Sequence, residues 1–527
     1  MELVAPGVWK LSFGQTEKHT PVSVIRISAL IDEMKGLPTP EKMVLNESHF
    51  SFKQTARGCV VEHPVEPAEG IYGLGLQLKS FNQRGKKKIL RTNSDPIADT
   101  GDSHAPVPFY VSTRGYGVMV DTARYVGFYC GTHDRVGAGY EVEKGLYEKV
   151  AGNTQELYAF REFKEDRSML IDIPAAKGVD IYFFEGPDIK TAVRRFNLFC
   201  GGGCLPSFWG LGVWYRNWAN ATQEDILRRA EDFRNTGIPC DVFGLEPGWH
   251  THAYSCTYRW REDRFPQPES LISKLSSMNF KLNLWEHVFV HPDAPIYEDI
   301  KEYSGNLEVW RGLVPDLSIK EAADIFADFH KESFIKKDIS GFKLDECDSS
   351  DYCPSQWSFP DCTEFPSGMD GEQMHSLMGI LYQKAIFLKF KEMNIRTYCQ
   401  VRSSHLFASS MPFVLYSDLY DHRDFIRGVV NMGFTGLLWS PEVRQCESVE
   451  ELVRRIQSVV FSPQALINAW MIPTPPWKQY DLEKNLKGEY MENYTEVEGV
   501  CRELFRLRMS LIPYLYSSFA RYCFEGV

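Results

Sequence analysis

The sequence predicts an α/β protein in which an N-terminal β-sandwich domain, residues 1–195, precedes a (β/α)8 TIM barrel, residues 196–527. Three observations carry this prediction. Short alternating apolar runs separated by glycine turns fill the first part of the chain, and the glycine-rich junction Gly201-Gly202-Gly203 follows. Strand-like and helix-like patterns then alternate to the end, as expected for parallel strands joined by helices.

The first 195 residues carry the period-two pattern of half-buried strands. Val22–Ile27 and Phe109–Ser112 are two such runs, and glycine turns such as Thr113–Gly117 separate runs of this kind. The pattern predicts a strand at each of the two runs. A helix is expected over Ile189–Phe199, directly before the junction that marks the domain boundary.

The barrel part shows its repeating unit most clearly in its first helix. Thr222 is placed to cap this helix, Asp225 can bond back to the cap, and Gly237 is expected to end it. One apolar face follows at helical spacing, formed by Ile226, Ala230 and Phe233. Strand candidates begin near residues 211, 240, 280, 341, 396, 413, 434 and 465.

The composition indicates a globular enzyme without a basic partner surface. The 527 residues carry a net charge of −12, so neither nucleic acid nor an anionic membrane is expected as a partner. Aromatic residues make up 13% of the chain, which suits the stacking platforms of sugar clefts and equally the core of a large α/β protein. No apolar run approaches the about 18 residues of a membrane-spanning helix.

The cysteines and the N-terminus indicate a reducing compartment. The 13 cysteines are scattered and odd in number, so a disulfide framework is not expected. The start of the chain, Met1–Gly7, lacks the basic and apolar regions of a signal peptide, and the sequence predicts a cytoplasmic protein. Neither a cofactor nor a metal is expected, and a homo-oligomer is left open.

Polar side chains stand where the predicted barrel strands end. In a barrel these ends converge on one mouth. The residues are Asn217, Glu246, Trp285, Glu286, Asp345, Arg402, Asp418, Glu442 and Asn468. Asp345 follows the short run Gly341–Leu344, and Asp418 follows Phe413–Ser417. Most enzymes that cleave glycosidic bonds use two carboxyl groups, and two carboxylates at strand ends would supply them.

Several motifs occur in the order and spacing of one enzyme family. Phe342-Lys343-Leu344-Asp345 resembles the nucleophile strand of that family, and Arg402 precedes Asp418 by the 16 residues that separate its substrate arginine from its acid/base aspartate. Further matching runs are Tyr72–Gly75, Pro108–Ser112, Pro206–Gly212, Gly237–Val242 and Arg508–Tyr516. From about residue 70 onward the chain resembles glycoside hydrolase family 31, the retaining α-glycosidases.

The resemblance implies a role for each polar residue at the mouth. Asp345 is implied as the nucleophile that forms a glycosyl ester, and Asp418 as the general acid/base. Lys343 lies two residues before Asp345 on the same strand face, where its charge would stabilise the ionised carboxylate. Arg402 would fork onto sugar hydroxyls or the nucleophile. The implied substrate is an oligosaccharide or α-glycoside that loses a terminal α-linked hexose.

The chain departs from the resembled family around the terminal sugar. Glu246 stands where an aspartate is common, Pro441-Glu442-Val443-Arg444 stands in place of an Asp-x-Gly-Gly motif, and Asn468 replaces a histidine. Glu246, Glu442 and Asn468 are expected to bind substrate together with Trp285, Lys343 and Arg402. The departures indicate a divergent branch of the family. The predicted activity is of α-glucosidase or α-galactosidase type, with an α-N-acetylgalactosaminidase or a transglycosylase as alternatives.

Other interpretations of these residues stay open. Asp421 and Asp424 are rivals for the acid/base role, the acids from Asp345 to Asp348 could bind a hard cation, and His250-Thr251-His252 is similar to a metallo-hydrolase motif. A non-catalytic carbohydrate-binding protein on the same fold is the alternative from another class. The sequence also leaves open whether certain side chains face the sugar or the core, namely Trp249, Tyr254, Trp260, Trp285 and Glu286.

The end of the chain follows closely on the last predicted barrel helix. The final residues are Phe524–Val527. Members of the resembled family continue into C-terminal β-domains, and the sequence is expected to lack them.

Overall fold

The computed structural model describes residues 1–94, 98–133, 167–353, 356–418 and 421–527. Within these residues the chain forms two antiparallel sheets and then one parallel sheet of eight strands. This arrangement confirms the predicted fold class, a β-sandwich followed by a (β/α)8 barrel.

The two N-terminal sheets pack face to face around an apolar layer. Their strands are β1 Glu2–Ala5, β2 Val8–Gly14, β3 Ser51–Gln54, β4 Gly58–Val65, β5 Ile71–Gly75, β6 Lys87–Leu90, β7 Pro106–Ser112, β8 Gly117–Asp121, β9 Val126–His133, β10 Arg167–Pro174 and β11 Gly178–Phe184. The first sheet has the order β1-β2-β11-β8-β7-β5 and the second β3-β4-β10-β9-β6. Val61, Phe128 and Ile171 are among the buried side chains of the layer between them.

One strand predicted in this domain is wrong. Residues Pro21–Ile25 form a short helix, so the alternating run Val22–Ile27 is not a strand. Thr20 accepts a hydrogen bond from the Ser23 amide, the Ser23 hydroxyl accepts one from the Thr20 amide, and Pro21 opens the helix. These capping bonds and the fixed φ of proline outweigh the alternation. A second short helix, Ile31–Lys35, follows.

The other local predictions in this region are confirmed. Phe109–Ser112 lies in β7, and Ile189–Phe199 is a helix. The helix is attached to the first sheet by stacked rings, because Phe196 and Phe109 have centroids 3.6 Å apart at an interplanar angle of 8°. This helix runs across the boundary predicted at residue 195, and the domain limits themselves stay a prediction.

The barrel consists of eight parallel strands. They are β12 Val213–Arg216, β13 Val242–Leu245, β14 Lys281–His287, β15 Ile339–Asp345, β16 Cys399–Val401, β17 Phe413–Leu415, β18 Glu442–Val443 and β19 Ala465–Asn468. Their order is β17-β16-β15-β14-β13-β12-β19-β18. The ring is closed by a parallel bridge between Leu415 of β17 and Trp439, just before β18. All strand ends therefore meet at one mouth.

Helices surround the barrel strands. They are Gln223–Thr236, Pro268–Ser277, Tyr297–Ile300, Lys320–Ser333, Gly371–Glu392, His422–Met432, Val449–Val460, Leu482–Leu486 and Tyr494–Glu525. The first confirms its predicted caps: Thr222 and Asp225 form a capping box, and Gly237 takes φ 66° as the left-handed end. Among the described residues, no helix combines the length and the apolar character that a membrane crossing requires.

Candidate active site

Asp345 ends strand β15 with its carboxylate fixed by two donors. The Trp285 indole Nε1 donates to Oδ2 at 2.6 Å, and the Glu346 amide donates to Oδ1 at 2.9 Å. The register places Trp285 beside Lys343 and His287 beside Asp345 across β14 and β15. Trp285 is only 1% exposed, so it holds the carboxylate rather than offering its face to a sugar. These two hydrogen bonds therefore fix the orientation of the Asp345 carboxylate at the mouth of the barrel.

Two cations stand beside the Asp345 carboxylate. The Lys343 Nζ lies 3.9 Å from Oδ2, and the Arg402 Nε lies 3.9 Å from Oδ1. Both cations come from barrel positions that the sequence assigned to substrate binding. At these distances, in a site of reduced dielectric, they attract negative charge at Asp345.

Asp418 shares Arg402 with Asp345. The Arg402 Nη1 donates to Asp418 Oδ2 at 2.8 Å, and the Arg444 Nη1 lies 3.6 Å from Oδ1. Burial raises the pKa of Asp418, but the charges of Arg402, Lys343 and Arg444 outweigh burial and lower it overall. In the ligand-free site Asp418 is therefore a carboxylate, and 44% of its side chain is exposed to the cleft.

A histidine of the N-terminal domain contacts the same carboxylate that binds Arg402. His104, which directly precedes β7, places Nδ1 2.6 Å from Asp348 Oδ2 and Nε2 2.8 Å from the Ser417 hydroxyl. The Arg402 Nε donates to the same Asp348 oxygen at 2.9 Å. Burial raises the pKa of Asp348, and the charge of Arg402 and the His104 contact lower it, with a net decrease. A buried chain of contacts thus links the N-terminal domain to both carboxylates.

Glu246 lies below the mouth in a buried ionic network. It forms a close ion pair with Arg216 of β12 and receives the Lys343 Nζ at 3.1 Å. Arg216 also donates to the side-chain oxygens of Asn283, at 2.5 Å, and Gln400, at 2.9 Å. One carboxylate at the base of the site therefore faces two cations, Arg216 and Lys343.

Glu442 and Asn468 form a second buried pair. The Asn468 Nδ2 donates to Glu442 Oε2 at 2.6 Å, and both residues are 0% exposed. They stand on the adjacent strands β18 and β19. The structure brings these two departures from the family together, at the barrel position where the sequence analysis expected a sugar contact.

The aromatic residue that remains open beside the mouth is Tyr254. It is 44% exposed, and its ring centroid lies 5.5 Å from Trp285 and 5.0 Å from Trp310. Burial of its hydroxyl, followed by the charges of Glu346 and Asp345, raises the pKa of Tyr254. Trp249 is fully buried and Trp260 packs on it, so those two belong to the core. Tyr254 thus keeps a large part of its side chain exposed beside Trp285 and Trp310.

Glu346 is a third carboxyl at the mouth. It directly follows Asp345 and takes a left-handed backbone conformation with φ 54°. Burial, followed by the charges of Asp345 and Asp348, raises the pKa of Glu346 well above its usual range. The Glu346 carboxyl therefore takes a proton more readily than an ordinary glutamate does.

The rival carboxylates have other tasks. Asp421 caps the helix His422–Met432 by accepting from the amides of Arg423 and Asp424, and Asp424 is buried in an ion pair with Lys79. Glu286 is fully buried between the His330 Nε2, at 2.9 Å, and the Tyr382 hydroxyl, at 2.7 Å. Glu286 is accordingly structural.

The two metal interpretations of the sequence find no support at their positions. Across the described parts of the chain, the group of acids and histidines close enough to share an ion is Asp351, Asp361 and His375, and it includes neither Asp345 nor His250. His250 instead directs Nε2 to the Trp285 carbonyl at 3.1 Å.

Burial raises the pKa of the Cys347 thiol well above its usual range, which makes it a poor nucleophile.

Sequence reasoning missed three residues of this site. His104 and Asp348 carry no joint signal, since 244 positions separate them. Arg444 was noticed only as part of an altered motif, although its Nη2 also donates to the Asp418 carbonyl at 2.9 Å. A cationic residue where the resembled family has glycine was the available signal for Arg444.

Two family models match the chain. The model of the glycosyl hydrolases family 31 TIM-barrel domain matches residues 203–518. The model of the glycosyl hydrolase 31 N-terminal galactose mutarotase-like domain matches residues 30–128. The two matches lie in the barrel and the sandwich, respectively.

Curated relatives are similar at low identity. An alpha-xylosidase of Emericella nidulans is 20% identical over 505 residues, covering 91% of this chain and 57% of the relative. An alpha-xylosidase of Lactiplantibacillus pentosus is 23% identical over 330 residues, covering 60% and 38%. Human neutral alpha-glucosidase AB is 28% identical over 126 residues, covering 23% and 13%. The chain thus spans between 13% and 57% of the length of these relatives.

Solved structures share the fold. A family 31 dextranase of Flavobacterium johnsoniae, complexed with glucose, has a TM-score of 0.72 at 17% identity, covering 92% of this chain and 58% of that one. A family 31 alpha-xylosidase from a soil metagenome, complexed with xylose, has a TM-score of 0.71 at 15% identity, covering 91% and 69%.

Proposed function

Because the chain belongs to glycosyl hydrolase family 31, we propose that it is a retaining α-glycosidase with Asp345 as the nucleophile and Asp418 as the general acid/base. The observation that carries this assignment is that one guanidinium, Arg402, contacts both carboxylates, at 3.9 Å and 2.8 Å. A double displacement requires two carboxyl groups close enough to serve one anomeric carbon.

In the first step Asp345 attacks the anomeric carbon. A bond forms between that carbon and a carboxylate oxygen, the glycosidic bond breaks, and the leaving oxygen takes a proton from Asp418. The donors Trp285 and the Glu346 amide hold the attacking group in one orientation. In the second step Asp418 removes a proton from water, which hydrolyses the glycosyl ester and restores Asp345.

The charge state of Asp418 must change on substrate binding. A general acid has to be protonated, whereas Arg402 and Arg444 keep the pKa of Asp418 low in the free site. Sugar hydroxyls that occupy the Arg402 guanidinium would compete with Asp418 for its donors and exclude water. Loss of that contact raises the pKa of Asp418 towards the range that a proton donor needs.

The sugar is the least determined part of the proposal. We propose exo-cleavage of a terminal α-linked hexose, of glucose or galactose type, with N-acetylgalactosamine or transglycosylation as alternatives. Support for sugars other than glucose comes from Glu442 and Asn468, a buried pair at positions where the chain departs from the family's Asp-x-Gly-Gly motif and its histidine. Because named relatives act as alpha-xylosidases, xylose belongs in the same test.

A panel of p-nitrophenyl α-glycosides tests the function. Glucose, galactose, N-acetylgalactosamine and xylose derivatives are compared by kcat/KM, and NMR identifies the first-formed anomer of the preferred sugar. The expected result is turnover of one class with the α-anomer released first. Binding of sugar without turnover of any glycoside would favour the carbohydrate-binding alternative, and a β-anomer would contradict retention.

A further inference from the structure

We propose that Asp351, Asp361 and His375 together bind one divalent transition-metal ion, with Zn²⁺ as the best-matched ion. Each residue offers one ligand atom, and these atoms lie within 4.8 Å of one another. Asp351 and Asp361 belong to the segment that follows the nucleophile strand, and His375 lies in the first turns of the helix Gly371–Glu392. Two carboxylates and one imidazole form a ligand set that zinc accepts.

The first independent observation is an unpartnered buried nitrogen. His375 is only 2% exposed, and its Nε2 has no hydrogen-bond partner among the described residues. A buried polar atom of this kind calls for a missing partner, either a water molecule or an ion. The nitrogen faces the group, because Asp361 Oδ1 lies 3.4 Å from it.

The spacing of these two atoms suits a metal better than a hydrogen bond. A good N–H···O contact is about 2.7–3.2 Å long. Two ligands that are each about 2.1 Å from a zinc ion at the tetrahedral angle lie about 3.4 Å apart. The distance of 3.4 Å between the His375 nitrogen and the Asp361 oxygen is the value expected for a shared ion.

Neighbouring groups already orient the ligands. The Tyr125 hydroxyl donates to Asp361 Oδ1 at 2.9 Å, and the Ser358 hydroxyl lies 3.4 Å from His375 Nδ1. A proton on Nδ1 that points to Ser358 leaves the Nε2 lone pair free for an ion. The His375 ring also stacks on Phe359 with centroids 4.2 Å apart, which fixes its plane.

The electrostatics of the group favour a cation. Asp351 and Asp361 bring two carboxylate oxygens within 4.8 Å of each other and of a His375 nitrogen, and like charges at such distances repel. A divalent ion would relieve the repulsion between the carboxylates.

The role that follows is structural. The ion would tie the segment after Asp345 to the helix Gly371–Glu392, and through Tyr125 to the N-terminal domain. In the described part of the chain, no hydrogen bond or ion pair joins these ligands to Asp345 or Asp418, and the proposed role of the ion is to hold the fold. The site stands independently of the proposed sugar chemistry.

The test measures metal binding without an activity readout. The chelator-treated and dialysed chain is titrated with Zn²⁺ by calorimetry and with Co²⁺ by visible absorption, and thermal unfolding is followed with and without Zn²⁺. One equivalent of Zn²⁺ is expected to bind, to raise the Tm, and to displace Co²⁺ from a site with tetrahedral absorption. Absence of saturable binding in the unchanged chain would overturn the proposal and leave a buried water as the partner of His375.

Substitutions locate the ion. His375→Gln and Asp361→Asn are expected to weaken Zn²⁺ binding at least about 10-fold. Asp351→Asn removes a ligand from an exposed position, so it tests the site even where a buried substitution prevents folding. Asp263→Asn, at an exposed carboxylate elsewhere, and Cys362→Ser, at an exposed thiol of the same segment, are controls that should bind as before. Equal affinity in all the ligand variants would assign the binding to another place and contradict the proposal.

Discussion

His104 Nδ1 lies 2.6 Å from Asp348 Oδ2, although the two residues belong to different domains and stand 244 positions apart. The same Asp348 oxygen accepts a hydrogen bond from the Arg402 Nε at 2.9 Å. The Arg402 Nη1 in turn donates to Asp418 Oδ2 at 2.8 Å. The N-terminal domain therefore contributes to the arrangement of the two carboxylates proposed to be catalytic. The predictions below start from this chain of contacts.

Substitution of His104 should disturb catalysis without removing a reacting group. In His104→Ala, Asp348 and Ser417 lose their shared partner, and Arg402 is free to shift towards Asp348 and away from Asp418. We expect kcat/KM to fall by about 10–100-fold, by analogy with other partners that orient reacting groups, and the alkaline limb of the kcat profile to move to higher pH. His49→Ala, at an exposed histidine of the same domain, is the control. An unchanged profile in His104→Ala would contradict the role.

The pH dependence of turnover should respond to the charges of the cations around Asp418. The alkaline limb of kcat follows loss of the proton from the acid in the enzyme–substrate complex. Since Arg444 helps to hold the pKa of Asp418 low, Arg444→Gln should raise that pKa and move the limb to higher pH, by up to about 1 unit. Arg454→Gln, at an exposed arginine, should leave the profile in place. A downward shift would oppose Asp418 as the acid.

The two carboxylates should be separable by leaving group. Asp345→Ala should abolish turnover of every glycoside, because no glycosyl ester can form. Asp418→Ala should lose about 10²–10⁴-fold with a poor leaving group and much less with an activated aryl group, whose departure needs no proton. Azide, which needs no general base, should restore turnover of the activated substrate in Asp418→Ala.

Glu346 is the control for that assignment. Glu346→Gln keeps the shape of the carboxyl that directly follows Asp345. The loss of turnover in this variant should not depend on the leaving group. If the loss depends on the leaving group in Glu346→Gln and not in Asp418→Ala, the proton donor is Glu346 instead.

The buried pair of Glu442 and Asn468 should tolerate no second charge. In Asn468→Asp the amide that donates at 2.6 Å becomes a carboxylate facing another in a fully buried position. We expect a loss of about 3 kcal/mol in the free energy of unfolding at neutral pH. The loss should shrink as the pH falls and one of the two acids takes a proton. Asn394→Asp, at an exposed position, should have little effect in the same denaturation experiment.

Local signals predicted most of the fold. The capping residues Thr222 and Asp225 and the terminating Gly237 act within a few residues of each other, so their structure could be inferred from the sequence. The strand ends at Asp345 and Asp418 could be inferred for the same reason. The strand predicted at Val22–Ile27 failed because alternation does not reveal a cap, and Pro21 with Thr20 decided the outcome.

The missing part of the site depends on distant contacts. Nothing near His104 indicates that it meets Asp348, because only the packing of the sandwich on the barrel brings them together. The task of Trp285 also depends on register: it was expected to bind substrate, but it lies buried against Asp345 across two strands. Single-sequence patterns report neighbours along the chain and not neighbours in space.

Arg216, Glu246 and Lys343 form an ionic network at the base of the site, so each residue limits which replacements the others tolerate. Removal of Glu246 leaves two buried cations without the carboxylate that both contact, a loss that no single neutral replacement repairs. Evolution of a new sugar preference at Glu246 would therefore need changes at its two partners as well. The identity of this acid is tied to the barrel interior, and the more adjustable side of the cleft is the open edge around Tyr254.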